Sequence, residues 1–254
     1  MIFFILLYLK ELIESYQMTE QELTLKIVEY FKENIFEQHI NSSLKTHSKL
    51  KSYNINPIVV KYLSKVLDGK FSPEGIAKAL YYPRVLGTSI NTSFGTRIQS
   101  MFIDLGIADG SMIKGMDIEF TDKVDSRKKW CQLKSGPNTI NSEDVGPLIK
   151  KFTDTINLAR TNRVLSGINN SDFIVGVLYG EPSELSMHYK KIDAVHPVLI
   201  GRDFWHRITG FAGFYDQLVV ALNLSILELD TQDFFEQGWK NLAEEIRLSP
   251  LFTF

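Results

Sequence analysis

The chain has a single cysteine, Cys131, in 254 residues. No intrachain disulfide can form, so the fold must stand without covalent staples, which suits a reducing compartment; the cytoplasm is the expected location. There is no HExxH, no CxxC and no GxSxG, which removes thiolate zinc sites and the serine nucleophile elbow. Gly110 and Gly115 have the spacing of a phosphate loop, but Met116-Asp117 stands where Lys-Ser/Thr is required, so no nucleotide cofactor is expected. Excess charge of one sign is lacking as well. Lys plus Arg number 28 against 30 Asp plus Glu, a net charge of -2, so any nucleic-acid surface must be local. Long apolar runs are missing: Met1 to Leu9 (MIFFILLYL) is roughly half of what a bilayer-spanning helix needs. It has no basic n-region and no small-residue cleavage site. That segment reads as an apolar helix start or as translation from a Met upstream of Met18; a peripheral membrane anchor is a third reading with nothing else behind it, and no membrane partner is expected.

What is present is a chain of ordinary composition, 44% hydrophobic and 23% charged, long enough to bury a sizeable core. From Thr19 to Ile40 the apolar positions Leu23, Ile27, Tyr30, Phe31 and Ile35 recur at helical spacing behind a Thr19/Glu22 capping box. Helices are expected at Pro57 to Leu67 and Pro73 to Leu80, each opening on a proline. Tyr82 to Gly87 breaks the pattern, and a Ser/Thr/Asn/Gly loop leads to a helix from Phe94 to Leu105. The period then changes. Met116 to Phe120 and Lys129 to Lys134 alternate apolar and polar, and the polar link between them reads as a hairpin connection. A helix with the stripe Val145, Leu148, Ile149, Phe152, Ile156 and Ala159 follows, then a strand buried on both faces at Phe173 to Tyr179 and a short strand at Val195 to Ile200. Helices open at Gly201 and occupy Phe214 to Leu229 and Gln232 to Leu248. The order predicts an α/β fold, a mixed sheet flanked by helices with additional N- and C-terminal helices. Residues 1–254 read as a single domain: a helical region at 1–80, an α/β core at 82–210 and C-terminal helices at 211–254.

The hairpin carries the chemistry. Residues two apart share a strand face, so Asp117 and Glu119 point one way, as do Gln132 and Lys134, while Cys131 and Leu133 face the core. Paired strands then bring a carboxylate, a second acid, a carboxamide oxygen and an ammonium to one sheet edge. Hard divalent cations such as Mg²⁺ take oxygen ligands, and an adjacent lysine can orient water and offset phosphate charge; that is an outfit for hydrolysing a phosphodiester. Lys123 to Arg163 holds nine basic residues against four acidic, whereas Ile226 to Arg247 holds two against six, so basic charge is concentrated where such a site needs it. Lys150 and Lys151 taken singly read as a solvated helix face.

Asp117 followed by Gln132-Leu133-Lys134-Ser135-Gly136 resembles the PD-(D/E)xK nuclease signature in a variant with Gln for the acidic residue. Tyr82 to Gly87 (YPRVLG), Ile174 to Gly180 (IVGVLYG) and Gly201 to Trp205 (GRDFW) resemble segments of type II restriction endonucleases, particularly the group that cuts interrupted palindromes of GGNCC type. The resemblance implies a restriction-endonuclease-like fold and Mg²⁺-dependent, sequence-specific cleavage of double-stranded DNA. It makes Asp117 the metal-ligating aspartate, Gln132 the occupant of the second ligand position, Lys134 the catalytic lysine, and the Leu133 backbone carbonyl a further ligand. Met116 replaces the proline of the signature at little cost. Gln132 is the weightier departure, because an amide oxygen is a weaker Mg²⁺ ligand than a carboxylate, and Glu119 is the acid expected to make up the charge. Two equivalent phosphates of a palindrome imply a homodimer, with Thr19 to Leu80 and Phe214 to Leu248 available for the contact. Loops at Thr88 to Thr96 and Ser183 to Lys191 are expected to read bases, and Arg84, Asn91, Arg97, Gln99 and Lys190 are the candidate DNA-binding residues. The competing reading is a catalytically silent relative with the same fold that binds DNA or a partner protein.

Overall fold

The computed structural model describes residues 18–162, 167–229 and 231–250; the apolar run Met1 to Leu9 lies outside them. Among the described residues no helix is long and apolar enough to cross a membrane.

The chain opens with α1 (Glu20–Phe31), whose capping box is complete: Thr19 Oγ1 accepts from Glu22 N at 3.2 Å and the Glu22 carboxylate accepts from Thr19 N at 2.9 Å. A π turn (Lys32–Phe36), α2 (Glu37–Ser42) and a second π turn (Ser43–His47) continue the same helical path. Next come α3 (Val60–Asp68) and α4 (Pro73–Tyr82), the latter capped by Ser72 with Pro73 in its first turn. The expected break at Tyr82 to Gly87 does not occur. Pro83–Ser89 forms a π turn that runs straight into α5 (Ile90–Asp104), so the presumed loop at Thr88 to Thr96 is helical. Pro83 lacks an N–H and its ring would clash with the carbonyl four residues back; widening the turn by one residue relieves both problems without ending the helix.

The sheet has five strands in the order β1 (Asp109–Gly110), β2 (Ile118–Thr121), β3 (Lys128–Lys134), β4 (Phe173–Val177) and β5 (Val198–Ile200). The first three pair antiparallel and the last three parallel, the mixed sheet that the sequence predicts. The β2–β3 register sets Ile118 opposite Cys131 and Thr121 opposite Lys128. The parallel step from β3 to β4 needs a crossover, supplied by α6 (Ser142–Thr161), whose stripe Val145, Leu148, Phe152 and Ile156 is buried. Between β4 and β5 lies a short helix, α7 (Met187–Asp193), held down by Tyr189 and Ile192, so the loop expected at Ser183 to Lys191 is largely helical. The chain closes with α8 (Arg202–Thr209), α9 (Phe214–Ile226) and α10 (Gln232–Arg247).

Each sheet face buries its own core. Ile118, Phe120, Cys131 and Ile174 pack against α1, α5, α8 and α9 through Ile27, Phe102, Phe204 and Leu218. On the opposite face Trp130, Phe173, Val175 and Val177 pack against α6 and α7 through Phe152, Ile156 and Tyr189. Away from the sheet, a third cluster joins α3 and α4 to α10, with Ile76, Tyr81, Leu242 and Ile246 at its centre. The hairpin end of the sheet is fastened by charges: Lys129, only 3% exposed, reaches Asp125 at 2.6 Å and Asp172 at 3.7 Å, while Arg207 bonds the fully buried Asp122 at 2.9 Å.

Candidate active site

β3 is paired on one side with β2 only as far as Cys131 and on the other with β4 as far as Lys134. Past Cys131 the β2 side of the strand has no ladder partner, and the chain there turns back through Asp117, whose N–H donates to the Cys131 carbonyl at 2.9 Å. The Leu133 N–H, left without a strand to bond, donates to Asp117 Oδ2 at 2.7 Å. Gln99 Nε2, from α5, donates to the Asp117 carbonyl at 2.9 Å, fixing the backbone from the other side.

The gap so formed is a cavity of about 380 Å³ lined by Gln99, Asp117, Gln132, Leu133, Lys134 and Ser135, with Gly95, Ile98 and Thr139 closing it. Burial pushes the Asp117 carboxyl above the ordinary carboxylate range, against the pull of the Leu133 N–H, Lys134 and Lys151. Gln132 Oε1 is buried with no hydrogen-bond donor, which costs free energy unless something electropositive reaches it. Five residues named from the sequence thus converge: Asp117, Gln132, Leu133, Lys134 and Gln99.

Glu119 does not join them. Strand parity puts it on the same face as Asp117, but it lies two residues further along β2 and its carboxylate is occupied. Lys128 Nζ meets Oε2 at 2.6 Å, and Oε1 accepts from Ser111 Oγ at 2.7 Å and from Met112 N at 3.2 Å. Burial raises its pKa, yet these donors together bring it below the usual carboxylate range. Among the described residues no group of three or more His, Cys, Asp or Glu is placed to share a metal ion. A cation here would be met by one carboxylate, the orphaned amide oxygen, backbone carbonyls and water. Mg²⁺ fits that set, because it keeps several waters and needs only one or two carboxylates.

The remaining candidates disperse. Asn91 is exposed one helical turn before Gly95, on the cavity side of α5, whereas Arg97 stands about 200° around the helix from Gln99, near Tyr30. Arg84, exposed on the π turn, faces His47 and Tyr53, and Lys190 is exposed on α7. One residue was missed by sequence reasoning. Lys151 lies from α6 against Gly115, two residues before Asp117, while its neighbour Lys150 pairs with Asp154 on the surface at 2.6 Å. An adjacent Lys-Lys pair carries no sequence signal to say which of the two turns inward.

The model of the type II restriction endonuclease EcoO109I family matches residues 25–230, from α1 to beyond α9, with the whole cavity inside the match. The chain belongs to that family. No curated protein matches it. As a type II restriction endonuclease it is a site-specific deoxyribonuclease, a phosphodiester hydrolase that binds DNA, and the family generally uses a divalent metal. The family match thus reaches beyond the segments from Tyr82 to Gly210 that carry the resemblance, into α1 at one end and past α9 at the other.

Proposed function

We propose that the cavity between β2 and β3 is where this endonuclease cuts, that it uses Mg²⁺, and that its site is a short interrupted palindrome of GGNCC type in double-stranded DNA. The observation that carries the reading is the Gln132 amide oxygen, buried without a donor beside a buried carboxylate and the Lys134 ammonium. Asp117, Gln132 and the Leu133 carbonyl would hold the ion, which when bound offsets charge developing on the phosphate and leaving oxygens. Lys134 orients the attacking water and balances negative charge at the scissile phosphate. The Leu133 N–H holds Asp117 Oδ2 and leaves the other carboxylate oxygen for the site. Gln99 fixes the Asp117 backbone. The GGNCC reading rests on the resemblance and on the enzyme that names the family, which recognises RGGNCCY. A palindrome presents two equivalent phosphates across a twofold axis, so the acting species is a homodimer. The exposed apolar side chains Ile58, Tyr62 and Val66 on and beside α3, and Val220 and Leu224 on α9, lie in the segments available for that contact.

The test is cleavage of a mapped plasmid with and without Mg²⁺, for the native chain and for Lys134→Ala. Discrete fragments ending at GGNCC, lost in Lys134→Ala while Ca²⁺-supported DNA binding persists, are expected, because Lys134 acts in the transition state more than in the ground state. Wild-type cleavage by Lys134→Ala would refute the assignment of the cavity.

A further inference from the structure

Lys151 is a cation beside this cavity, against Gly115 and outside its lining, that the hairpin does not supply. It sits on α6 between the buried Leu148 and Phe152 and is itself half-buried. Among the described residues no carboxylate lies within 4.0 Å of its ammonium group, in contrast to Lys150 one position earlier. Its stem crosses the backbone at Gly115, where an added Cβ would meet Lys151 Cε at 2.6 Å and Cδ at 2.7 Å and would collide with Nζ. Gly115 is also the left-handed residue, φ 88°, of a turn closed by Met116 N donating to the Ile113 carbonyl at 3.0 Å. A glycine there satisfies two demands at once: it allows the positive φ, and its bare Cα leaves a channel for the lysine. Two residues on from Gly115 is Asp117, whose side chain lines the cavity. The Lys151 ammonium has no ion-pair partner among the described residues and is not a buried group, so it is open to an incoming anion, and the single carboxylate of the cavity already receives the Leu133 N–H.

We propose that Lys151 is a second phosphate-binding cation of the active site, donating from α6 to a non-bridging oxygen of the DNA backbone at the cavity that Lys134 serves from β3. The inference rests on the reading of that cavity as the place where DNA is cut. It also gives the neutral Gln132 a rationale: with one carboxylate and the Lys134 ammonium in the cavity and the Lys151 ammonium beside it, the surroundings are net positive and suited to an anionic backbone.

The experiment compares the native chain with Lys151→Met, which keeps the stem and removes the charge, and with Lys151→Arg, which keeps the charge. Binding to a short duplex carrying GGNCC is followed without metal as a function of NaCl, and single-turnover cleavage is followed with Mg²⁺. Removing one phosphate contact lowers the slope of log affinity against log salt by about one per bound protomer. Losing a charge-assisted hydrogen bond slows cleavage by about tenfold to a hundredfold. Lys151→Arg is expected to restore the slope and most of the rate. Should Lys151→Met melt early, Lys151→Gln at a temperature where it is folded decides by the same salt slope. A native slope and a native rate in the charge-free variants, with Lys134→Ala inactive, would overturn the role of Lys151 alone. A fully active Lys134→Ala would overturn the cavity assignment instead, and the metal-free salt slope would still decide whether Lys151 holds phosphate.

Discussion

Replacing Gln132 by Glu adds one negative charge and almost no change of shape at the point where the cavity has an amide oxygen without a donor. Asp117 and Gln132 stand just beyond the last β2–β3 pair, Ile118 with Cys131, and both line the cavity; at the spacing of cross-strand neighbours their side chains would lie about 5 Å apart. Two carboxylates at that distance repel by roughly 3 kcal/mol at an effective dielectric constant of 20. Burial already holds Asp117 above its ordinary range, whereas Lys134 and Lys151 return part of the loss. The metal-free variant should therefore be about 1–2 kcal/mol less stable than the native chain, or about 3–6 °C lower in Tm for a protein of this size. The sign with pH follows: the repulsion exists only when both acids are ionised, so the deficit is present above their raised folded-state pKa values and disappears as the pH falls through them. With two carboxylates facing it, Mg²⁺ binds more tightly, and at one hundred times its Kd it returns about 2.7 kcal/mol. Thermal unfolding with and without Mg²⁺, together with a titration of cleavage rate against Mg²⁺, measures both effects. The expected result is a lower Tm without metal, a larger upward shift with Mg²⁺, and a lower Mg²⁺ requirement for cleavage. A Gln132→Glu variant with native Tm and no added Mg²⁺ response would show that the side chain at 132 does not face the ion.

Glu119→Gln should leave the Mg²⁺ requirement unchanged, since its carboxylate is engaged by Lys128, Ser111 and Met112 away from the cavity; the cost should be about 1 kcal/mol of stability, and a raised Mg²⁺ requirement would put Glu119 back among the ligands. Lys129→Met leaves Asp125 and Asp172 without their buried partner and should cost about 3–5 kcal/mol, read as a fall in Tm of about 10 °C; an unchanged Tm would mean that Arg127 and Arg207 suffice to hold the hairpin. Burial lowers the pKa of His39 and of His196 below 6.5, so the unfolded chain takes up protons first and stability is complete above that pH and declines as the pH falls below it. A Tm profile from about pH 8 to about pH 5 should show that decline and should become shallower, without vanishing, in His196→Gln, because His39 remains; a flat native profile contradicts the assignment.

The sheet and the hairpin were legible because a half-buried strand writes its faces into the sequence with period two, and Met116 to Phe120 and Lys129 to Lys134 keep that period. Parity reports which face a side chain takes, not what captures it there. Glu119 shares a face with Asp117, but Lys128 holds its carboxylate, and nothing in the alternation of two strands encodes that pairing. Pro83 misled for a different reason. A proline signals a helix end through its missing N–H, yet the π turn removes the clash locally, and the packing of Ile98, Met101 and Phe102 in the core stabilises α5 against the poor helix propensity of the Ser/Thr/Asn/Gly stretch. Asn91 and Arg97 consequently stand on a helix, and helical phase, rather than loop reach, separates Asn91 from Arg97 at the cavity.

The location of the cavity follows from a mismatch in strand lengths. β3 runs seven residues, but β2 covers only its first part while β4 accompanies it to Lys134. Where β2 is missing, the Leu133 N–H would be left without a strand partner, and a side chain takes the place of the strand. Asp117 does so with one carboxylate oxygen on the Leu133 N–H. The bond anchors Asp117, the open edge makes the cavity, and the next residues of β3 on the same face, Gln132 and Lys134, necessarily project beside it. A β2 strand extended by two residues in regular pairing would satisfy Leu133 with a backbone carbonyl and close the gap. The chain avoids that extension with the turn at Ile113 to Met116, whose Gly115 allows the reversal and clears a path for Lys151. The acid, the amide and the lysine of the site are thus brought together by the same interruption of the sheet.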